Sequence, residues 1–231
     1  MNLFGTVPAQ ELFWSGNTEE IIRILNKLGI KVNSFFSPFQ GIKEIKNSSN
    51  AALNINLSPW LCKETEKIYQ DKFNMDTYHF NGLPIGPMAT TTFVKGVAEK
   101  LDLDRKLVEK VISEEERYVY GYYSGLYMYI RKYRFAIVGD TNTVLGITRF
   151  LVNDYSQIAV AAIITDEVPD SDKPAIESAF KDLEYPQSLN VFYEQDLWKI
   201  KRILKEQDIQ IIFGSHFERE IADELLHTIY F

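Results

Sequence analysis

Residues 134–154, RFAIVGDTNTVLGITRFLVND, have the order of residue types that can build an anion site. An apolar run comes first, a Gly-Asp turn follows, and an amphipathic segment then opens near Asn142. A strand, a glycine turn and a helix N-terminus together direct free backbone N–H groups and the helix dipole at an anion. The candidate ligand-lining residues of this turn are Gly139, Asp140, Thr141 and Asn142.

The same turn lacks the glycines of a dinucleotide site, which needs Gly-x-Gly-x-x-Gly. The third and sixth positions are Thr141 and Val144, and only Gly139 and the later Gly146 remain. Asp166 lies near the sequence position at which a dinucleotide site has its ribose-binding acidic residue. Any β-α-β unit, however, ends a strand near that position. We therefore interpret the stretch as a turn that does not bind a nucleotide.

Two further groups of residues could do chemistry. Ser58 and Cys62 are one helical turn apart in a segment whose Ser-Pro start predicts a helix to about residue 73, with Ser58 as its cap. They could line a cleft from one helix face, although a cap and a small buried hydrophobe are the simpler interpretations. His216, beside Ser215, is the best placed histidine because it follows a strand end, yet a surface turn explains it more simply.

Composition excludes several classes of function. The 231 residues carry a net charge of -7 with no basic block, which argues against nucleic acid as a partner. We find neither an apolar run of ~20 residues nor a signal-peptide layout, so we expect a cytoplasmic protein without a membrane partner. The lone cysteine rules out an intrachain disulfide and a metal site built from cysteines, and we expect no metal ligands here.

Short apolar runs alternate with helical segments, which predicts an α/β fold with two Rossmann-like lobes, parallel sheets and flanking helices. One long helical stretch, residues 103–133, or two helices with a break near Gly121 and Gly125, would join the lobes. Tyr123, Tyr127 and Ile130 would lie on one face for packing. We therefore predict lobes at 1–132 and 133–231. The C-terminal strand ends should form the ligand-facing edge of the second lobe. Those ends are Gly139–Asn142, Thr165-Asp166 and Gly214-Ser215-His216.

Local signals predict where individual helices begin and end. Asn17 and Glu20 have the spacing of a capping box that would open the first helix, and Gly29 would stop it. Ser58 and Pro59 would open a helix after the third strand.

Five segments resemble nitrogenase component 1 subunits, in order and over essentially the whole chain. They are FGTVPAQELFWSGNTEEIIRILNKLGIKVN, NAALNINLSPWLCKETEKIYQDKFN, LPIGPMATTTFVKGVAEKL, RFAIVGDTNTVLGITRFLVND and DLWKIKRIL. The resemblance is to the β-type chain of the molybdenum–iron protein and to related cofactor-scaffold and protochlorophyllide-reductase subunits.

The resemblance implies a parent oxidoreductase that takes electrons from an ATP-dependent iron protein through an iron–sulfur cluster. It also implies a paralogous or identical component 1 subunit as partner. Family subunits have three Rossmann-like domains, so this chain is similar to an internal fragment whose cluster cysteines lie elsewhere. We therefore expect no cofactor in these residues and no catalysis by them alone.

The resemblance also bears on the candidate residues. Ser58 stands where α-type chains hold their cofactor by cysteine, and a hydroxyl is a poor iron ligand. The loops at 139–142 and 214–218 match loops around the family's central cavity, where a polar backbone suits an anionic cluster or an organic acid. Two other functions remain open: a cofactor-assembly scaffold and a non-redox small-molecule binding module.

Overall fold

The computed structural model describes residues 1–8, 11, 13–35, 40–123, 125, 130–181, 183 and 189–225. The chain divides into two compact units, Met1–Tyr123 and Ser124–Phe231. Each unit contains a four-stranded parallel sheet flanked by helices, which confirms the predicted fold class. In the described part of the chain, every helix is too short or too polar to cross a membrane.

The first unit has the sheet order β2-β1-β3-β4. Its strands are β1 (Asn2–Phe4), β2 (Asn33–Ser34), β3 (Asn54–Asn56) and β4 (Thr77–His79). Its helices are α1 (Trp14–Lys27), α2 (Ile42–Asn47), α3 (Lys63–Phe73), α4 (Pro87–Lys100) and α5 (Arg105–Tyr123), and a short 3-10 turn covers Ser48–Asn50.

One face of the first sheet holds the apolar core of this unit. Leu3 and Ile55 from the central strands pack with Leu25 of α1 and with Phe93 and Val97 of α4. All five side chains are almost completely buried. Burial of such side chains stabilises a fold by about 1.5–3 kcal/mol each, so this face carries most of the unit's apolar stabilisation.

The opposite face carries a row of buried asparagines in register across three strands. Asn2 lies beside Asn33 on one side and beside Asn54 on the other. Asn33 Nδ2 donates to Asn2 Oδ1 at 3.1 Å, and Asn2 Nδ2 donates to Asn54 Oδ1 at 2.9 Å. A slip of one residue would break these bonds and exchange the two faces, so the row fixes the register.

The second unit has the sheet order β7-β6-β5-β8. Its strands are β5 (Arg134–Gly139), β6 (Ile158–Ile164), β7 (Asn190–Tyr193) and β8 (Ile211–Phe213). Its helices are α6 (Thr141–Arg149), which continues as a π-helical turn (Phe150–Asp154), α7 (Lys173–Ala179), α8 (Leu197–Lys205) and α9 (His216–Leu225). The two central strands are buried on both faces, as their continuous apolar runs predict.

Two predicted helix starts are wrong. Helix α1 begins at Trp14, so Asn17 lies inside it and cannot form a capping box with Glu20. Helix α3 begins at Lys63 instead of Ser58. The reason is tertiary, because the hydroxyl of Ser58 donates to the carbonyl of Gly5, 53 residues away, at 2.8 Å.

The predicted end of α1 is confirmed. Gly29 has φ +76 and its N–H donates to Asn26 O at 2.9 Å, while the Ile30 N–H donates to Leu25 O at 3.1 Å. This pair of bonds is a Schellman motif, in which glycine accepts the left-handed conformation without steric cost.

Helix α5 ends at Tyr123 within the predicted joining helix, and Tyr127 of the predicted packing face lies outside the described residues. The predicted lobe boundary at residue 132 falls between the end of α5 and the start of β5, and it remains a proposal.

Candidate functional site

The second sheet reverses its strand order between β5 and β8. From β5 the chain proceeds outward to β6 and β7, and it returns to the other side of β5 as β8. The loops after β5 and β8 therefore flank a topological switch point, where parallel α/β sheets usually bind ligands. The sequence candidates Gly139–Asn142 and Ser215-His216 lie in or directly after these two loops.

The N-terminus of α6 is occupied by two carboxylates of the chain itself. Asp140 is the N-cap and accepts a hydrogen bond from Thr143 N at 2.9 Å. Asp166 Oδ2, from the loop after β6, accepts from both the N–H and the hydroxyl of Thr141 at 2.7 Å. Burial raises the pKa of Asp140, and the nearby charge of Asp166 raises it further, against the lowering effect of the Thr143 hydrogen bonds. Asn142 is buried in the first turn.

The N-terminus of α9 is occupied in the same way. Glu218 Oε2 accepts from the N–H and from the hydroxyl of Ser215, both at 2.7 Å. Ser215 Oγ in turn accepts from Phe217 N at 3.2 Å, which completes a capping box. His216, the first residue of α9, is exposed.

These contacts have a chemical consequence for the switch point. At α6 the backbone N–H groups of Thr141 and Thr143 already donate to Asp166 and Asp140, and at α9 the N–H of Ser215 already donates to Glu218. A second negative group would meet carboxylates at both helix ends, and like charges repel. The geometry therefore disfavours an anionic ligand in direct contact with these two helix ends.

The first sheet has its own switch point, between β1 and β3. Gly5 follows β1 with φ +90, and a Cβ added there would lie 2.5 Å from Ser58 N and 2.7 Å from Leu57 N. Only glycine therefore allows the loops after β1 and β3 to approach this closely. Ser58 is completely buried, and its hydroxyl and N–H both bind within this contact.

Cys62 lies just before α3 and also meets the Gly5 backbone. Burial raises the pKa of the Cys62 thiol, the charge of Glu66 raises it further, and the hydrogen bond with Gly5 lowers it. Ser58 and Cys62 both contact the Gly5 backbone, but they do not share a helix, and their predicted place in a ligand cleft remains a proposal. A raised pKa makes the thiol a weak nucleophile.

A histidine–carboxylate pair beside Cys62 is absent from the sequence-based candidates. His79 Nε2 lies 2.9 Å from Glu66 Oε2, and Asn56 Nδ2 donates to the same carboxylate. Asn56 and His79 are direct neighbours across β3 and β4. The i, i+4 spacing of Cys62 and Glu66 was visible in the sequence, but the strand register that adds His79 was not.

The donor set does not fit an iron–sulfur cluster. Such clusters are held mainly by cysteine thiolates, usually four, and these residues contain one cysteine. Within the ranges that the structure describes, no three His, Cys, Asp or Glu side chains converge in a way that could hold a metal ion.

Two parallel α/β sheets with polar loops at their switch points define a Rossmann-like α/β protein. The sequence model described as "Nitrogenase component 1 type Oxidoreductase" matches residues 1–231. The chain belongs to this family.

Individual relatives agree with this assignment. The nitrogenase molybdenum-iron protein beta chain of Azotobacter vinelandii is 20% identical over 238 residues, which cover 96% of this chain and 44% of that protein. The nitrogenase vanadium-iron protein beta chain of Trichormus variabilis is 24% identical over 90% of this chain and 48% of that protein. This chain therefore spans a little under half the length of these two relatives.

A solved structure, "Nitrogenase Cp1 at pH 6.5", superposes with a TM-score of 0.75 at 18% identity. The superposition covers 96% of this chain and 50% of that one. At this level of identity the superposition supports the fold alone.

Proposed function

We propose that the chain is part of a β-type subunit of a nitrogenase component 1-like oxidoreductase, in which it forms a cavity wall and a subunit interface. The observation that supports this proposal most directly is the family match over residues 1–231. The complete protein then takes electrons from an ATP-dependent iron protein through an iron–sulfur cluster, in the cytoplasm. The chain spans only part of its relatives, so this activity belongs to the proposal.

The donor chemistry supports a wall role over a ligand role. With one cysteine available, the cluster must be held by cysteines outside these residues or by the partner subunit. Asp140, Asp166 and Glu218 instead hold the cavity-facing loops by binding the helix ends beneath them. These carboxylates position backbone; we assign them no proton transfer.

Exposed apolar side chains at the starts of two helices support the interface role. Leu197 and Trp198 begin α8 and are 39% and 76% exposed, while Phe217 is the second residue of α9 and is 69% exposed. Both helices follow strands of the parallel sheet, so both begin at its C-terminal edge. Large aromatic side chains left in water are typical anchors of protein interfaces. We name this set, Leu197, Trp198 and Phe217, the edge patch.

The test is anaerobic purification of the tagged full-length gene product from its native cells. We expect a second component 1-type subunit to co-purify, together with iron and acid-labile sulfide. The double variant Trp198→Lys with Phe217→Lys should lose the partner, because lysine cannot replace the apolar contact area. The matched control is Phe73→Lys, which alters a 47% exposed aromatic residue on α3 of the first unit.

The outcomes separate the three functions. A pure, iron-free protein without a component 1 partner contradicts the proposal and supports a non-redox binding module. A complex that carries a cluster but reduces no substrate with the iron protein supports the assembly scaffold. Retention of the partner by the lysine double variant contradicts the role given to the edge patch.

A further inference from the structure

The first unit contains a cavity that is not lined by the switch-point residues described above. It lies among α1, α4, α5 and the loop before α4, and its volume is about 320 Å³. An apolar cavity of ~150 Å³ holds benzene, so this one can take an aromatic ring with a short chain. The cavity lies within a single unit, so its walls do not depend on the proposed cluster or on a partner subunit.

The floor of the cavity is apolar and rigidly packed. Ile21, Phe93, Val94 and Val111 line it, and all four are at most 5% exposed. They belong to the main core of the unit, so the floor cannot collapse without repacking that core. A preformed apolar floor favours a ligand with an apolar body.

The rim contains acidic groups that differ in how far they are neutralised. Glu115 is bound by Arg23, at 2.6 Å, and by Lys27. Glu20 is also paired with Arg23. Glu116 receives a hydrogen bond from the uncharged hydroxyl of Thr91 at 2.7 Å. Among the described residues, Glu116 has no ion-pair partner at the mouth of this apolar cavity.

Two threonine hydroxyls on the rim are already used as donors. Thr91 Oγ1 donates to Glu116, and Thr90 Oγ1 donates to the carbonyl of Pro84 at 2.9 Å. A ligand beside these threonines therefore gains more by donating hydrogen bonds than by accepting them. A cationic amine satisfies both this requirement and the charge of Glu116.

We propose that this cavity binds a small amphipathic cation, with its apolar body on the core floor and its ammonium group at Glu116. This inference goes beyond the proposed redox function and does not rest on it. The site is a binding site for an organic amine, and no catalytic role is attached to it.

The test compares two probes of the same shape and opposite charge, phenylbutylamine and phenylbutyrate, by titration calorimetry and methyl NMR of the full chain. We expect one-to-one binding of the amine, with shifts confined to isoleucine methyls that line the cavity, such as Ile21, Ile85 and Ile112. The acid should bind roughly three- to tenfold more weakly, as expected for one partly exposed charge contact.

Matched variants locate the site. Asn17→Trp places a large ring on the rim without touching the core and should abolish amine binding, whereas Asn26→Trp, on an exposed position of the same helix, should not. Glu116→Gln should remove the preference for the amine, whereas Glu114→Gln, an exposed residue of α5 outside the cavity lining, should keep it.

Three results would overturn the proposal. If neither probe binds, the cavity takes a segment of protein instead of a small amine. Equal binding of the two probes to the wild type would remove the assigned charge recognition. Amine binding that survives Asn17→Trp would place the ligand elsewhere.

Discussion

Single carboxylate side chains determine which ligands the switch point of the second sheet can bind. Asp140 and Asp166 at α6, and Glu218 at α9, bind the N–H groups that an anionic ligand would need. The residue order strand, glycine, aspartate therefore indicates a helix cap here as readily as an anion site. The distinction depends on Asp166, which is 25 residues away from Thr141 in sequence.

The raised pKa of Asp140 makes a prediction about pH. Burial raises the folded-state pKa of Asp140 above its ordinary value of 3.8. The unfolded chain therefore ionises first as pH rises, and the free energy of unfolding falls across that window. Asparagine caps a helix about as well but does not ionise. Asp140→Asn should therefore raise the free energy of unfolding at pH 7, by up to about 1 kcal/mol, and change it little at pH 3.

Urea unfolding at both pH values measures this effect. The control is Asp196→Asn, which makes the same substitution at the exposed N-cap of α8. An Asp140→Asn protein that is less stable at pH 7 than the wild type would contradict the role of burial.

Gly5 is the second residue-scale case. Gly5→Ala forces a Cβ against the backbone N atoms of Leu57 and Ser58 and keeps an unfavourable positive φ. We expect a loss of about 2–4 kcal/mol in the free energy of unfolding. In Gly16→Ala the new methyl group meets nothing within 4 Å on helix α1, and that variant should be neutral or more stable by about 0.5–1 kcal/mol. Equal stability of the two variants would mean that the Gly5 contact can relax.

At the scale of elements, an ion-pair network connects α1 to α5. Glu115 of α5 is 16% exposed, and it accepts hydrogen bonds from Arg23 and from Lys27 of α1. The pKa of Glu115 is lowered to about 2, chiefly by the Arg23 hydrogen bond and also by Lys27, against the opposing effect of partial burial. The network fixes α5 against α1 beside the amine cavity.

This network makes the element-scale prediction. A lowered folded-state pKa means that the contribution of Glu115 is present above its unfolded value of 4.5 and is lost as pH falls from there toward 2. Glu115→Gln should therefore lower the free energy of unfolding at pH 7 by about 1–2 kcal/mol and flatten its decline between those pH values.

Denaturant titration as a function of pH measures this decline. Glu114→Gln, at an exposed neighbouring position, should stay within about 0.5 kcal/mol of the wild type. A Glu115→Gln protein with the wild-type pH profile would show that the network contributes nothing.

At the scale of the whole molecule, each unit has its own apolar core. We therefore predict that Leu25→Ala, a cavity in the first core, will cost about 2–5 kcal/mol and increase hydrogen exchange in β1 and β3. Exchange in β5 and β6 should stay unchanged. Ile163→Ala in the second core should give the reverse pattern. Equal loss of protection in both sheets, from either variant, would mean that the units unfold together.

Some features of the fold could be predicted from the sequence and others could not. The apolar runs of β5 and β6 predicted central buried strands, and Gly29 predicted the end of α1, because each signal acts over a few neighbouring residues. The helix starts predicted from Asn17 and Ser58 are wrong, because each residue type is a good cap but lies in a different local structure here.

For the candidate site, too, one part could be predicted from the sequence and another could not. The sequence placed Gly139–Asn142 and Ser215-His216 at strand ends, since a helix after a parallel strand must begin there. It could not show that Asp166 and Glu218 fill those helix ends, nor that His79 meets Glu66. Those contacts depend on strand order and register.

The sequence by itself determined the α/β class, the buried strands and the shortage of thiolates, because period, composition and cysteine count are properties of the chain. Only the tertiary structure decided which carboxylates meet which helix ends and where an open cavity remains. Those features arise when residues distant in sequence become neighbours, and the energy of such contacts depends on distances that no local pattern encodes.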